Sequence, residues 1–188
     1  MVDTAARISF ADRIQWNQRI KPALIVLVIA AIAYAIGAFY MAPRTAATQP
    51  TYLPATFAAL PTGSVLLTNP DGTSALLPVR IADTTAARSA GFRGVGEQAL
   101  VNAFLLYPLA RETTTRTSYS VEGVRAPIEF AAIDASGTVV AIETGALGTT
   151  RVSVAERHQW LIAASAGTLE RFGVTVGSTL DPERVQRF

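Results

Sequence analysis

Histidine occurs once in these 188 residues, at His158, and cysteine does not occur at all. These two counts remove several chemistries. No thiolate nucleophile, disulfide or zinc–thiolate centre can form, and a histidine-based metal cluster is excluded. A Ser-His-Asp triad would have one base to use, but no G-x-S-x-G elbow, P-loop or H-E-x-x-H motif accompanies it. The glycines of Gly91-Phe-Arg-Gly94-Val-Gly96 follow a predicted helix instead of opening one, so a dinucleotide-binding turn fails on context. His158, close to Trp160, is read as a surface or packing residue. Glu129 is the carboxylate of most interest, since it follows Pro127 inside a strand pattern. Alternation with Ile128 and Phe130 puts it on a solvated strand face. It becomes a pocket candidate only if other polar groups converge on it. Glu122 and Arg125 flank Gly123 in a loop. The sequence thus assigns no catalytic residue, no cofactor and no metal.

The elements that would position these residues are short. Val65 to Leu67 reads as a strand, Asn69-Pro-Asp-Gly72 as a turn, and Leu76 to Ala82 as the returning strand. Asp83 or Thr84 can cap a helix over Thr85 to Ala90 that Gly91 ends. Strands are expected at Ala103–Tyr107, Thr117–Val121, Ile128–Ile133, Thr138–Thr144, Trp160–Ala164 and Ser178–Leu180. One helical turn is expected at Thr168–Phe172. The apolar positions that should form the core are Leu76, Val79, Ile81, Phe104, Leu106, Phe130, Ile133, Val140, Ile142, Leu161 and Phe172. Frequent turn signals between short strands point to an α+β, mostly β domain, barrel-like or sandwich, with short helices.

Upstream lies a different kind of segment. Pro22 to Ala42 carries no charge between Lys21 and Arg44. As a helix, its 21 residues span about 31 Å, the thickness of a bilayer's hydrocarbon core. Arg7, Arg13, Arg19 and Lys21 precede it, while Arg44 alone follows before Asp71. The positive-inside rule then places the N-terminus in the cytoplasm and the rest in the periplasm. The organisation expected is a cytoplasmic leader at 1–21, a transmembrane helix at 22–42, a Pro-rich linker at 43–63 and a periplasmic domain at 64–188. Thr45-Ala46-Ala47 offers the alternative of a cleaved signal, but the apolar run exceeds a signal's usual length. Ala31, Ala35, Ala38 and Ala42 recur every three or four residues, a small-residue face suited to a partner helix. From Ser64 onward, 11 basic residues stand against 12 acidic ones, a net charge of −1. No basic patch there suggests nucleic acid.

The stretch from about 76 to 181 resembles the bacterial family called domain of unknown function 192. The resemblance is carried by the order of segments. They are Val79-Arg-Ile-Ala82, the helix to Ala90, Gly91-Phe-Arg-Gly94, Ala103-Phe-Leu-Leu-Tyr107, Ser118-Tyr-Ser-Val121, Ala126-Pro-Ile-Glu129, Ala132-Ile-Asp134-Ala-Ser-Gly137, Ile162 to Gly167 and Gly173-Val-Thr-Val-Gly177-Ser178. The family's polar positions depart here. Its Lys-Asn stands as Val121-Glu122, its Asp as Glu129, its Glu as Ala163 and its final Asp as Ser178. The resemblance implies a compact, largely β fold outside the cytoplasm and no known reaction.

Taken together, the residues lead to a single-span accessory or structural subunit of a larger inner-membrane complex, photosynthetic or respiratory. Its partners would be the membrane and other integral subunits. The alternative is a membrane-tethered periplasmic ligand-binding module or enzyme that uses a pocket at Glu129.

Overall fold

Alternation of side chains along each strand decides which residues enter the interior. In β1 (Thr62–Thr68), Val65 and Leu67 are fully buried. In β2 (Ser74–Ile81), Ala75, Leu77, Val79 and Ile81 point inward. The two strands pair antiparallel around the Asn69–Gly72 turn, where the Gly72 N–H donates to the Asn69 carbonyl at 2.9 Å. A computed structural model describes residues 26–34, 49–113, 116–181 and 185–188. The chain divides into two units, Met1–Ala46 and Ala47–Phe188.

In the first unit the described residues form one helix, α1 (26–34), with exposed side chains that include Ala31. Among the described residues no helix is long and apolar enough to cross a membrane. The leader and Ala35, Ala38 and Ala42 lie outside the described residues.

The second unit is mostly β. After a short helix α2 (Ala55–Ala58), β1 and β2 lead into α3 (Thr85–Ala90) and α4 (Glu97–Leu100). Thr84 caps α3, its hydroxyl accepting from the Ala87 N–H at 3.1 Å. The chain then returns as β3 (Phe104–Pro108), parallel to β2. The remaining strands are β4 (Thr117–Ser120), β5 (Ile128–Ile133), β6 (Val139–Gly145), β7 (Arg151–Val154), β8 (Trp160–Ser165), β9 (Thr179–Leu180) and β10 (Gln186–Arg187), with α5 (Thr168–Arg171) after β8. The main sheet runs β10-β1-β2-β3-β8-β5-β6, and β4 and β7 form a separate ribbon. Strand β9 pairs with β1, and the segment around it also bonds the start of β6. The Val139 N–H donates to the Ser178 carbonyl and the Gly177 N–H to the Val139 carbonyl, each at 2.8 Å. The sheet is thereby drawn round upon itself.

Two apolar cores result. One lies inside the curve, around Leu67, Leu77, Ile81, Phe104, Ile133 and Ile162. The other lies outside β3, β8 and β5, under the short helices and the ribbon, and includes Phe57, Phe92, Leu100, Phe130, Val154 and Leu161. Strands β3, β5 and β8 are buried on both faces. That is why they read as unbroken apolar runs, whereas β1 and β2 alternate.

Four expectations change. Leu76 does not enter the core and is 62% exposed, because its direct opposite is Leu66 on the outer face of β1. A one-residue difference in parity reverses the face. Val140, Ile142 and Phe172 are half-buried. The segment Arg151–Val154, which carried no expected element, is the strand that pairs with β4. The second unit also begins well before Ser64. Phe57 and Leu60 are buried in its outer core, and the Pro50 and Tyr52 carbonyls accept from the N–H groups of Gln98 and Gly96 at 2.9 and 2.8 Å. This contact accounts for Gly96, where a Cβ would fall 2.2 Å from the Pro50 oxygen.

Candidate functional site

Glu129 is not on a solvated face. Strand β5 lies between β8 and β6 with both faces covered, so Glu129 is 6% exposed. Its carboxylate reaches across β8 to the start of α5. Oε2 accepts from the Gly167 N–H at 3.1 Å and Oε1 from the Leu169 N–H at 2.6 Å. Free N–H groups at the start of a helical turn need acceptors, and a carboxylate meets both that need and the local positive potential. Both oxygens of the pocket candidate are therefore engaged in the fold. Two hollows of the fold, of ≈ 320 Å³ and ≈ 370 Å³, are lined by other residues.

His158 is also interior, with no exposed surface. Its Nδ1 lies 2.8 Å from the Glu156 carbonyl oxygen, which can only accept, so Nδ1 carries the proton. Nε2 is then left as an acceptor, and the Tyr119 hydroxyl on β4 donates to it. The His158 N–H donates to the Thr113 hydroxyl at 3.0 Å, and the Thr113 N–H to the His158 carbonyl at 2.9 Å. The Tyr119 ring stacks on Phe130 at 5.6 Å and tilts against Tyr107 at 6.3 Å. Burial pushes the Tyr119 hydroxyl up to about 12, with Arg88 opposing the shift. Burial raises Tyr107 too, with the neighbouring Tyr119 adding to it. The group joins β4, the loop before β8 and the segment at Thr113. It pins the ribbon over the outer core. The sequence shows the histidine but not this role, because Thr113 and Tyr119 lie 45 and 39 positions away.

The other polar positions are likewise engaged locally. Asp134 closes the β5–β6 turn by accepting from the Ser136 hydroxyl at 2.6 Å and the N–H groups of Ser136 and Thr138 at 2.9 Å. Its slight burial opposes ionisation, and these hydrogen bonds outweigh it, so its carboxyl lies below the usual value. Ser178, fully buried, donates to the Asn69 side-chain oxygen at 3.0 Å and ties the last loop to the first turn. Glu122 and Arg93 approach to 4.0 Å, but both are exposed and the contact contributes little. Arg125 is half-buried. Among the described residues no group of three His, Asp or Glu side chains gathers as a metal would require.

No family model and no curated protein matches the chain. Two solved structures share its fold. One is a proposed transcription regulator from Sinorhizobium meliloti, with a TM-score of 0.58 at 20% identity, covering 65% of this chain and 94% of that one. The other is a protein of unknown function from Novosphingobium aromaticivorans, with a TM-score of 0.53 at 15% identity, covering 69% of this chain and 97% of that one. At these identities the likeness defines a shared fold and nothing further.

Proposed function

We propose that this chain is a single-span accessory subunit of a larger inner-membrane complex, carrying a non-catalytic β domain on the periplasmic side. The observation that carries the reading is Glu129. At the position where the family called domain of unknown function 192 has an Asp, this chain spends both carboxylate oxygens on the Gly167 and Leu169 amides. The polar side chains at the centre of the domain thus serve its shape. Among the described residues every buried side-chain nitrogen and oxygen has a hydrogen-bond partner within the fold. A scaffold kept for shape suits a structural role. The uncharged run from Pro22 to Ala42, with its basic N-terminal flank, supplies the anchor and its orientation.

Helix association in lipid depends on close packing, so Ala35→Leu tests the reading directly. The substitution keeps the segment apolar and insertion intact, and it obstructs the Ala31, Ala35, Ala38, Ala42 face. The expected result is a membrane-inserted variant that co-purifies with fewer neighbours in mild detergent, while Ile32→Leu behaves as the unaltered chain. Recovery of the Ala35→Leu variant with the same partners at the same yield would refute the helix contact.

A further inference from the structure

Side chains that give up an electron easily are few from Ser64 onward. Cysteine is absent, Met1 and Met41 both lie upstream, and the indole and phenol rings are those of Tyr107, Tyr119 and Trp160. A one-electron oxidant that reaches this stretch must draw on one of them. A phenol yields its electron readily only if its proton leaves at the same time, because the cation radical is a strong acid. Burial penalises the charged alternatives, phenolate and cation radical alike. The hydroxyl that already faces a base is therefore the one set up to react.

Tyr107 and Tyr119 differ in this respect. Their rings lie 6.3 Å apart, and burial holds both hydroxyls protonated well past neutral pH. The Tyr107 hydroxyl lies against Gly91, where a Cβ would stand 3.1 Å from its oxygen. Among the described residues no imidazole or carboxylate accepts a hydrogen bond from Tyr107 or from Trp160. Tyr119 donates to Nε2 of His158, the one histidine in the chain. Nε2 is free to take the proton because Nδ1 spends its own on the Glu156 carbonyl oxygen at 2.8 Å. That carbonyl is also turned toward the positive charge the ring acquires with a second proton. Phe130 stacks on Tyr119 at 5.6 Å, and Tyr119 is only half-buried, so part of it stays within reach of a diffusing reagent.

We propose that Tyr119 and His158 form a redox-active pair that quenches one-electron oxidants of the peroxyl-radical class. The Tyr119 O–H bond breaks. Its electron passes to the peroxyl radical, and the peroxide anion so formed takes a proton from water to give a hydroperoxide. The hydroxyl proton passes to His158 Nε2. A neutral tyrosyl radical remains, hydrogen-bonded to an imidazolium. One electron from a hydroquinone, with the proton returning from Nε2, restores the phenol, while the hydroquinone releases a proton to water and leaves as its semiquinone. This activity does not depend on the anchor and is additional to the structural role of the pair.

The test uses the full chain in mild detergent at neutral pH, with peroxyl radicals supplied by a water-soluble azo initiator. Freeze-quenched samples are expected to show a tyrosyl signal in electron paramagnetic resonance, narrowed when the tyrosine rings are deuterated. A spin trap followed by peptide mass spectrometry should place the adduct on Tyr119. His158→Gln keeps a hydrogen-bonding group but supplies no base, and should slow radical formation by about 10²-fold, the usual worth of a positioned base. Tyr107→Phe should change neither the rate nor the position, and added hydroquinone should erase the signal. Absence of a tyrosyl signal, or an adduct mainly on Tyr107, Trp160 or an upstream tyrosine, overturns the proposal. So does radical formation at an unaltered rate in His158→Gln, and a signal that hydroquinone leaves in place overturns the return step. The adduct position is read in the unaltered chain, so it decides the matter even where His158→Gln fails to fold.

Discussion

Replacing Glu129 by Gln separates a structural carboxylate from a functional one. The side chain is almost fully buried and accepts from two backbone N–H groups. A hydrogen bond to a charged group contributes about 1.5–3 kcal/mol, and a buried N–H left without an acceptor costs about 1–3 kcal/mol. Gln retains one oxygen, so one of the two bonds survives at neutral strength. Its NH₂ group turns toward the other amide, which loses its acceptor. Relief of the desolvated charge offsets part of this, and the net loss comes to about 2–3 kcal/mol. For a unit of this size each kcal/mol moves the melting temperature by about 3–4 °C, so the expected drop is about 6–12 °C. Thermal unfolding of the full chain in mild detergent, followed by Trp fluorescence, reads it. Glu129→Ala should fall further, since both amides lose their acceptor. A change below about 1 °C would refute the reasoning, for it would mean that α5 does not depend on this carboxylate.

Three further outcomes follow from the geometry. Gly173→Ala should destabilise by about 2 kcal/mol, because the left-handed backbone itself costs about 1–2 and the new Cβ would lie 2.8 Å from the Asn69 side-chain nitrogen. Gly167→Ala, with the same sign of φ and nothing within 4 Å, should cost less, and equal losses in urea titrations would dismiss the Asn69 contact. Tyr119→Phe and His158→Gln should each cost about 1–2 kcal/mol and combine to less than their sum, since they break one shared contact; strict additivity would dissolve the pair. At alkaline pH the buried tyrosines should weaken the fold. Tyr119 ionises at 10.0 when unfolded and at about 12 when folded. Its contribution is therefore complete below pH ~10 and is lost as pH rises through ~12. Melting temperatures that stay level across this interval, with phenolate absorbance rising only after unfolding is excluded, would contradict it.

Much of the secondary structure was legible because it is encoded locally. The Thr84 cap, the Gly91 stop, the Asn69–Gly72 turn and the β5–β6 hairpin each depend on residues within a few positions. Strands β7 and β10 were not legible. Each is too short to show a period, and each is held by a partner far away in sequence, Thr117–Ser120 for one and Gly63–Ser64 for the other. Within the segment at 43–63, read as a Pro-rich linker, residues 50–60 are fixed by carbonyl contacts to α4 and by Phe57. Proline content reports the stiffness of such a segment and not the surface it meets.

The sequence by itself determined the composition limits: no cysteine, one histidine, an uncharged run of membrane-spanning length and a mostly β remainder. It also determined which residues are apolar, but not which of two faces they take. Tertiary structure decided that Leu76 faces out, through its register with Leu66, and that Glu129 faces in. Alternation on a strand says only that neighbours point apart. Which side is buried depends on what packs there, and for β5 both sides are covered by elements distant in the chain. Glu129 and His158 were visible as isolated residues. Their partners, the Gly167 and Leu169 amides and the Tyr119 hydroxyl, lie 38 to 40 positions away and meet them only after the sheet has formed.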